Sequence, residues 1–176
     1  NIASWWSGAL LLFAAVHAFD GYRLWQSERP LTARGWGLLS LILLGLSADE
    51  IASLHERAGA YMPWGPWQNT LPFAAVLVGL AGHGVVALWR DATQRGRLIL
   101  IIGGFAMFGL TAFQEYLEHA AGWEALMSPG LRVAVEEGTE LAGMLLLIWA
   151  ALPNTPGIFQ PASGRKRPTL AAPFSW

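Results

Sequence analysis

Gly35-Trp36-Gly37-Leu38-Leu39-Ser40-Leu41-Ile42-Leu43-Leu44-Gly45-Leu46-Ser47-Ala48-Asp49-Glu50-Ile51-Ala52-Ser53-Leu54-His55-Glu56-Arg57 is the stretch on which the fold turns. From Gly35 to Ala48 no side chain carries a charge, and the whole stretch from 35 to 57 has the length of a bilayer-crossing helix, which needs about 20 predominantly apolar residues. Its end is the opposite in character, with three carboxylates, a histidine and an arginine between Asp49 and Arg57. Working outward, comparable apolar runs cover 3–26, 70–90, 97–121 and 131–152, so with 35–57 the reading is five transmembrane helices. The breaks between them carry turn signals: Ser27-Glu28-Arg29-Pro30, Met62-Pro63-Trp64-Gly65-Pro66, Asp91 to Gly96, and Ser128-Pro129-Gly130. The expected architecture is all-α, a polytopic membrane bundle over residues 1–152, followed by a flexible cytoplasmic tail, 153–176, rich in Pro, Ser and Gly.

Composition agrees. Of 176 residues, 54% are hydrophobic and 13% charged, against about 25% charged in an ordinary soluble domain. Mean hydropathy is +0.40. The absence of cysteine excludes disulfides and thiolate metal ligands. The first residue is Asn1 rather than Met, which leaves room for an upstream piece, and the start lacks the basic, apolar, small-residue order of a cleavable signal.

Orientation follows from the basic residues. Arg23, Arg29, Arg34, Arg90, Arg95, Arg97 and the Arg165-Lys166-Arg167 cluster fall on one side of the five spans, and Arg57 and Arg132 on the other. The positive-inside rule then puts the N-terminus outside and the C-terminus in the cytoplasm of a bacterial inner membrane. Tryptophans mark both interfaces: Trp25, Trp36, Trp89 and Trp149 inside, and Trp5, Trp6, Trp64, Trp67 and Trp123 outside.

Eight of the twelve carboxylates sit in three short segments. They are Asp49, Glu50 and Glu56; Glu115 and Glu118; and Glu136, Glu137 and Glu140, with His55 and His119 among them. At 1.5 Å per residue, Asp49 lies about 20 Å from Trp36, Glu115 about 27 Å from Arg97, and Glu136 about 20 Å from Trp149. All three segments therefore share one level in the outer half of the membrane. In unbroken helices Asp49, Ser53 and Glu56 form one stripe, and Glu115 with His119 and Glu136 with Glu140 are i, i+4 pairs. Three helices can turn carboxylates toward one centre.

Such a concentration needs compensation. An ionised acid at the centre of a membrane helix costs about 2.5–3.5 kcal/mol on insertion scales, and Arg57 and Arg132 cannot balance eight acids. Hard oxygen ligands with one or two imidazoles suit Fe, Mn or Zn. The expected ligands to one or two divalent metals are Asp49, Glu56, Glu115, His119, Glu136 and Glu140. Glu50, His55, Glu118 and Glu137 stand around them or substitute for them. Helical bundles hold carboxylate-bridged di-metal sites with these residue types, but through Glu-x-x-His spacing, whereas Glu115 and His119 are i, i+4. If the site is catalytic, the enzyme is a metal-dependent hydrolase or oxidase acting on a membrane-soluble substrate. Two other readings account for the same acids: a non-catalytic accessory subunit of a larger respiratory or photosynthetic membrane complex, and a small cation or proton carrier.

The segments Ser47-Ala48-Asp49-Glu50-Ile51-Ala52-Ser53-Leu54-His55-Glu56 and Glu136-Glu137-Gly138-Thr139-Glu140 resemble an uncharacterised group of bacterial multi-pass membrane proteins. Those proteins carry an Asp-Glu…Leu-His-Glu helix and a later Glu-Glu-Gly-x-Glu helix. The resemblance covers about residues 35–152 and implies that the acidic helices belong together, without implying an activity. Membrane ceramidase-like zinc hydrolases compare less well, because they surround one zinc with several histidines and this chain lacks a His-x-x-x-His pair.

The remaining polar residues have plainer readings. His17 and Asp20 are three apart and can pair locally. His83 between Gly82 and Gly84 marks close helix packing, with a haem or pigment ligand as the alternative. The Arg165-Lys166-Arg167 cluster is a topology determinant or a contact for anionic lipid. No phosphate-binding loop, nucleophile elbow or nucleic-acid patch is present, so the expected surroundings are the lipid bilayer and other membrane subunits.

Overall fold

The computed structural model of the chain describes residues 2–54, 57, 66–119 and 128–152. It contains five long helices: α1 (Ile2–Trp25), α2 (Pro30–Ala52), α3 (Pro66–Trp89), α4 (Arg95–His119) and α5 (Pro129–Ala151). A short 3-10 turn, Ala92–Gln94, precedes α4, and no strand occurs among the described residues. Pro30 and Pro129 start α2 and α5, a position where the missing N–H costs nothing and the fixed φ suits the helix. Two stretches, Pro30–Ala52 and Ala92–Gln114, are long and apolar enough to cross a membrane.

Packing follows chain order. α1 packs on α2, α2 on α3, α3 on α4 and α4 on α5, and α5 returns to α1. Polar and glycine contacts show that successive helices run antiparallel. Ser47 Oγ donates to the Gly8 carbonyl at 2.7 Å, and Ser40 Oγ to the Ala15 carbonyl at 2.9 Å, joining α1 to α2. Gly35 meets Gly84 where α2 crosses α3: a Cβ on Gly35 would stand 2.7 Å from Leu88 Cγ and 3.1 Å from the Gly84 oxygen. Gly104 meets Gly143 where α4 crosses α5. A Cβ on Gly104 would stand 2.6 Å from Leu147 Cγ and 3.1 Å from the Gly143 oxygen, and one on Gly143 would be 3.0 Å from the Gly104 oxygen. Small residues at these crossings let the backbones approach closely, the usual means of packing helices without a strong hydrophobic drive between them.

Burial is uneven along the bundle. The core consists of Leu11, Ala14, Ala15, Ala18, Trp36, Leu39, Leu43, Leu88, Leu98, Ile101, Met144, Leu147, Ala150 and Ala151. All of these lie in the middle of the helices or toward the end that carries the arginines. Trp36, wholly buried, is seated against Gly21, where a Cβ would come within 3.0 Å of the indole. Toward the opposite end the buried described side chains become polar: Ser47, Thr111 and Gln114. Large apolar side chains are exposed on the outward faces, with Val78 71%, Ile99 68% and Trp6 66% exposed.

The arginine end is tied by one network. Arg29 Nη1 donates to Asp91 Oδ1 and Oδ2 at 3.1 and 2.9 Å and to Thr93 Oγ1 at 2.9 Å. Thr32 Oγ1 donates to Asp91 Oδ2 at 2.9 Å, and the Thr93 backbone N–H and hydroxyl both donate to Asp91 Oδ1. The start of α2 is thereby fastened to the turn between α3 and α4. Burial alone would raise the Asp91 carboxyl pKa, but the hydrogen bonds from Thr93, Arg29 and Thr32 outweigh it and bring it from 3.8 down to about 2.

One expectation fails locally. The stripe of Asp49, Ser53 and Glu56 presumes an unbroken helix to residue 57, but α2 ends at Ala52 and Ser53 adopts a left-handed backbone, φ 47° and ψ 51°. Its N–H closes onto the Asp49 carbonyl, as a left-handed cap does at a helix C-terminus. Helical hydrogen bonding restarts beyond it, Arg57 N–H donating to the Ser53 carbonyl at 3.0 Å. The acidic segment is thus interrupted at Ser53, and the 100° phase rule does not carry across it; Glu56 itself lies outside the described residues.

Two consequences can be measured. Gly143→Val overpacks the α4–α5 crossing at a cost of about 1–3 kcal/mol, a fall of roughly 2–10 °C in melting temperature for a chain of this size. Gly45→Ala, where nothing lies within 4 Å, leaves the melting temperature unchanged or slightly raised; equal effects of the two changes would contradict the crossing. The Asp91 carboxyl has a folded pKa below its ordinary value, so its stabilisation is complete above about pH 4 and vanishes as pH falls through about 2. Melting curves of wild type and Asp91→Asn in an acid-stable detergent should therefore differ at neutral pH and converge as pH falls from about 4 toward 2.

Candidate functional site

Antiparallel packing in chain order brings the C-terminus of α2, the C-terminus of α4 and the N-terminal half of α5 to one end of the bundle. These are the three segments that carry the acids. Asp49 and Glu50 lie half-buried in the last turn of α2. Glu136 and Glu140 are half-buried on α5, one turn apart, and Glu137 beside them is exposed. The backbones of Glu115, Glu118 and His119 occupy the last two turns of α4, and their side chains lie outside the description, as do His55 and Glu56 entirely. Among the described residues no group of three or more His, Asp or Glu side chains is placed to hold a metal ion.

The register of α4 against α5 can be read from two contacts. Gly104 crosses Gly143, and the hydroxyls of Thr111 and Thr139 are hydrogen-bonded at 3.1 Å. Thr139 also contacts the Glu136 carbonyl oxygen at 2.8 Å, and Thr111 the Met107 carbonyl oxygen at 3.3 Å. Carried one turn further, the same antiparallel register places residues 114 and 115 level with Val135 and Glu136, and residue 118 level with Arg132. Gln114 is 8% exposed, and its Oε1 is buried without a hydrogen-bond partner among the described residues. A buried acceptor left in that state costs about 1–3 kcal/mol.

The backbone of α4 at residues 114 and 115 thus lies level with the part of α5 that carries Glu136. Asp49 and Glu50 stand at the same end but on a helix that packs on α1 and α3, whereas α5 packs on α1 and α4, so α1 stands between α2 and α5. Helix polarity adds to the local electrostatics. The carbonyl end of a helix carries roughly half a negative charge, and Asp49, Glu50 and Glu118 sit in the last turns of α2 and α4, where a carboxylate is disfavoured. The basic residues at this end are the exposed Arg57 and the half-buried Arg132. Chemically the end gathers carboxylates, hard oxygen groups, on three helices, of which Asp49, Glu50, Glu136 and Glu140 are half-buried.

Sequence reasoning missed Thr111, Gln114, Thr139 and Ser47. The signal was present in Thr111-Ala112-Phe113-Gln114-Glu115, where polar residues interrupt an apolar helix at i and i+3. Two residues outside the acidic end behave plainly. His17 Nδ1 stands 3.8 Å from Asp20 Oδ2, with its ring edge-on to Phe13. His83 is exposed, while the neighbouring Gly84 makes the close approach to α2.

Comparison with known proteins returns a family without an assigned activity. No curated protein and no solved structure matches the chain. Residues 2–153 match the family described as a domain of unknown function, DUF8692, and the chain belongs to that family.

Proposed function

We propose that this protein is a five-span bundle of a bacterial inner membrane whose acidic end, facing the periplasm, binds one or two divalent metals. The observation that carries the reading is the gathering of three acidic segments at one end, where the buried side chains turn polar and the Gln114 oxygen has no partner among the described residues. Glu115, His119, Glu136 and Glu140 form the part of the ligand set on the α4–α5 interface. Asp49 and Glu56 complete it from the α2 segment, with Glu50, His55, Glu118 and Glu137 around them. Fe, Mn or Zn is the expected ion, given oxygen and imidazole ligands. Such an ion offsets both the mutual repulsion of the acids and the helix-end carbonyls, and it can activate water or oxygen for attack on a membrane-soluble substrate.

The membrane assignment draws support from the outward faces. Apolar side chains are exposed on all five helices, including Phe13, Val16, Leu41, Val78, Ile99, Phe113 and Leu145. Soluble monomers rarely expose more than a few hundred Å² of contiguous apolar surface. At 23 to 25 residues each, the helices are about 35–38 Å long, enough for a hydrocarbon layer of about 30 Å.

Elemental analysis of the detergent-purified protein tests the metal site. Wild type should carry Fe, Mn or Zn near stoichiometry, and Glu115→Ala combined with His119→Ala should lower it about tenfold, the loss expected when second ligands and geometry go. A metal-free wild type that co-purifies with fixed partners would favour the accessory-subunit reading instead. Topology is tested separately, because the chain has no cysteine. Glu28→Cys should react with impermeant thiol reagents only from the cytoplasmic side, and Ser128→Cys only from the periplasmic side; reversed labelling would overturn the orientation.

A further inference from the structure

At the end opposite the acids lies a cleft of about 500 Å³ lined by Arg29, Pro30, Leu31, Thr32, Ala87, Arg90, Asp91, Ala92 and Thr93. We infer that this cleft binds the phosphodiester headgroup of an anionic phospholipid, with Arg90 as the residue that holds the phosphate. The inference rests on the membrane assignment above, though not on the metal site.

Charge within the cleft decides the ligand's sign. Asp91 is its one acid, and that carboxylate is already engaged by Arg29, Thr32 and Thr93. Arg29 spends Nη1 on Asp91 and Thr93, and its guanidinium lies 4.7 Å over the Trp25 ring. Arg90 is exposed and makes no hydrogen bond or ion pair among the described residues. The cleft thus holds a neutralised pair plus one arginine with all its donors available, a net positive charge beside a fixed polar wall. A guanidinium fork matches phosphate oxygens bidentately.

Surroundings decide that the phosphate belongs to a lipid. Leu31, in the wall, is 47% exposed, and Trp89, next to Arg90, is 59% exposed. Trp25 and Trp89 place the cleft at the level where amphipathic rings meet headgroups. Arg95, stacked 5.6 Å from Trp89, adds positive potential at the same level. Basic pockets between helices on the cytoplasmic side are where anionic headgroups dock.

The test uses the full chain in nanodiscs of phosphatidylglycerol and phosphatidylcholine in equal parts, with retained lipid read by native mass spectrometry. Wild type should keep phosphatidylglycerol over phosphatidylcholine, and Arg90→Ala should reduce that retention about tenfold, as expected for loss of one charged partner. Arg34→Ala, an exposed arginine outside the cleft, should retain lipid like wild type. Equal retention in wild type and Arg90→Ala, or an equal loss in Arg34→Ala, would overturn the site. Thermal stabilisation in neutral detergent by inorganic phosphate alone, lost in Arg90→Ala, would overturn the lipid in favour of a soluble anion. A chain that stays monodisperse without detergent would sink the membrane assignment itself. Arg90→Ala leaves the Arg29–Asp91 network intact, so its melting temperature in neutral detergent serves as the control for folding.

Discussion

Close backbone approach between neighbouring helices is the constraint on which the rest of this protein depends. At Gly35 with Gly84, and at Gly104 with Gly143, a Cβ would stand 3.0–3.5 Å from the partner's carbonyl oxygen, and on Gly35 or Gly104 it would also come under 3.0 Å from a leucine side chain. A side chain at Gly35, Gly104 or Gly143 would press on the neighbouring helix. Because the crossings hold, the vertical register of α4 on α5 is set, and with it the level at which Thr111 meets Thr139 and Gln114 stands opposite Glu136. The chemistry at one end is thus governed by packing about two turns away from it.

The bundle is two materials in series. One part is a dense apolar core around Trp36, closed below by the Arg29–Asp91 network. In the other, the buried side chains among the described residues are hydroxyls and an amide, and the C-termini of α2 and α4 and the N-terminal half of α5 contribute acids. Dense packing at one end supplies the stability that permits carboxylates to gather at the other, where helix-end carbonyls and like charges oppose them. The cation proposed above would answer that opposition, because it reverses the sign of the local field at one point instead of requiring a separate partner for each acid.

Arginines play different parts according to what faces them. Arg29 is consumed by structure, since its partner Asp91 connects the start of α2 to the α3–α4 turn. Arg97 is half-buried with its guanidinium 5.5 Å from the Trp36 ring, a contact between charge and the aromatic centre of the core. Arg90 faces outward beside a cleft. In the linear chain all three are simply basic residues on one side of the apolar runs, and they count equally toward orientation.

Much of the architecture was legible in the residues. Apolar runs punctuated by Pro30, Pro66 and Pro129 delimit helices that the structure reproduces to within a few residues, because both length and start depend on local chemistry. The concentration of acids in three segments, and their shared end, also follow from spacing once successive helices alternate in direction. Ser53 was not legible: nothing in Ile51-Ala52-Ser53-Leu54 demands a left-handed residue, and the bend it makes arises from how α2 terminates there. Which acids face one another was equally out of reach, since that depends on the glycine crossings and on α1 standing between α2 and α5. Sequence alone determined which groups are present, how long each helix runs and which end each acid occupies, for these are properties of consecutive residues. Only the tertiary structure decided the pairing of helices, the burial of the Gln114 oxygen and the setting of Arg90 in its cleft, because each depends on distances between segments far apart in the chain.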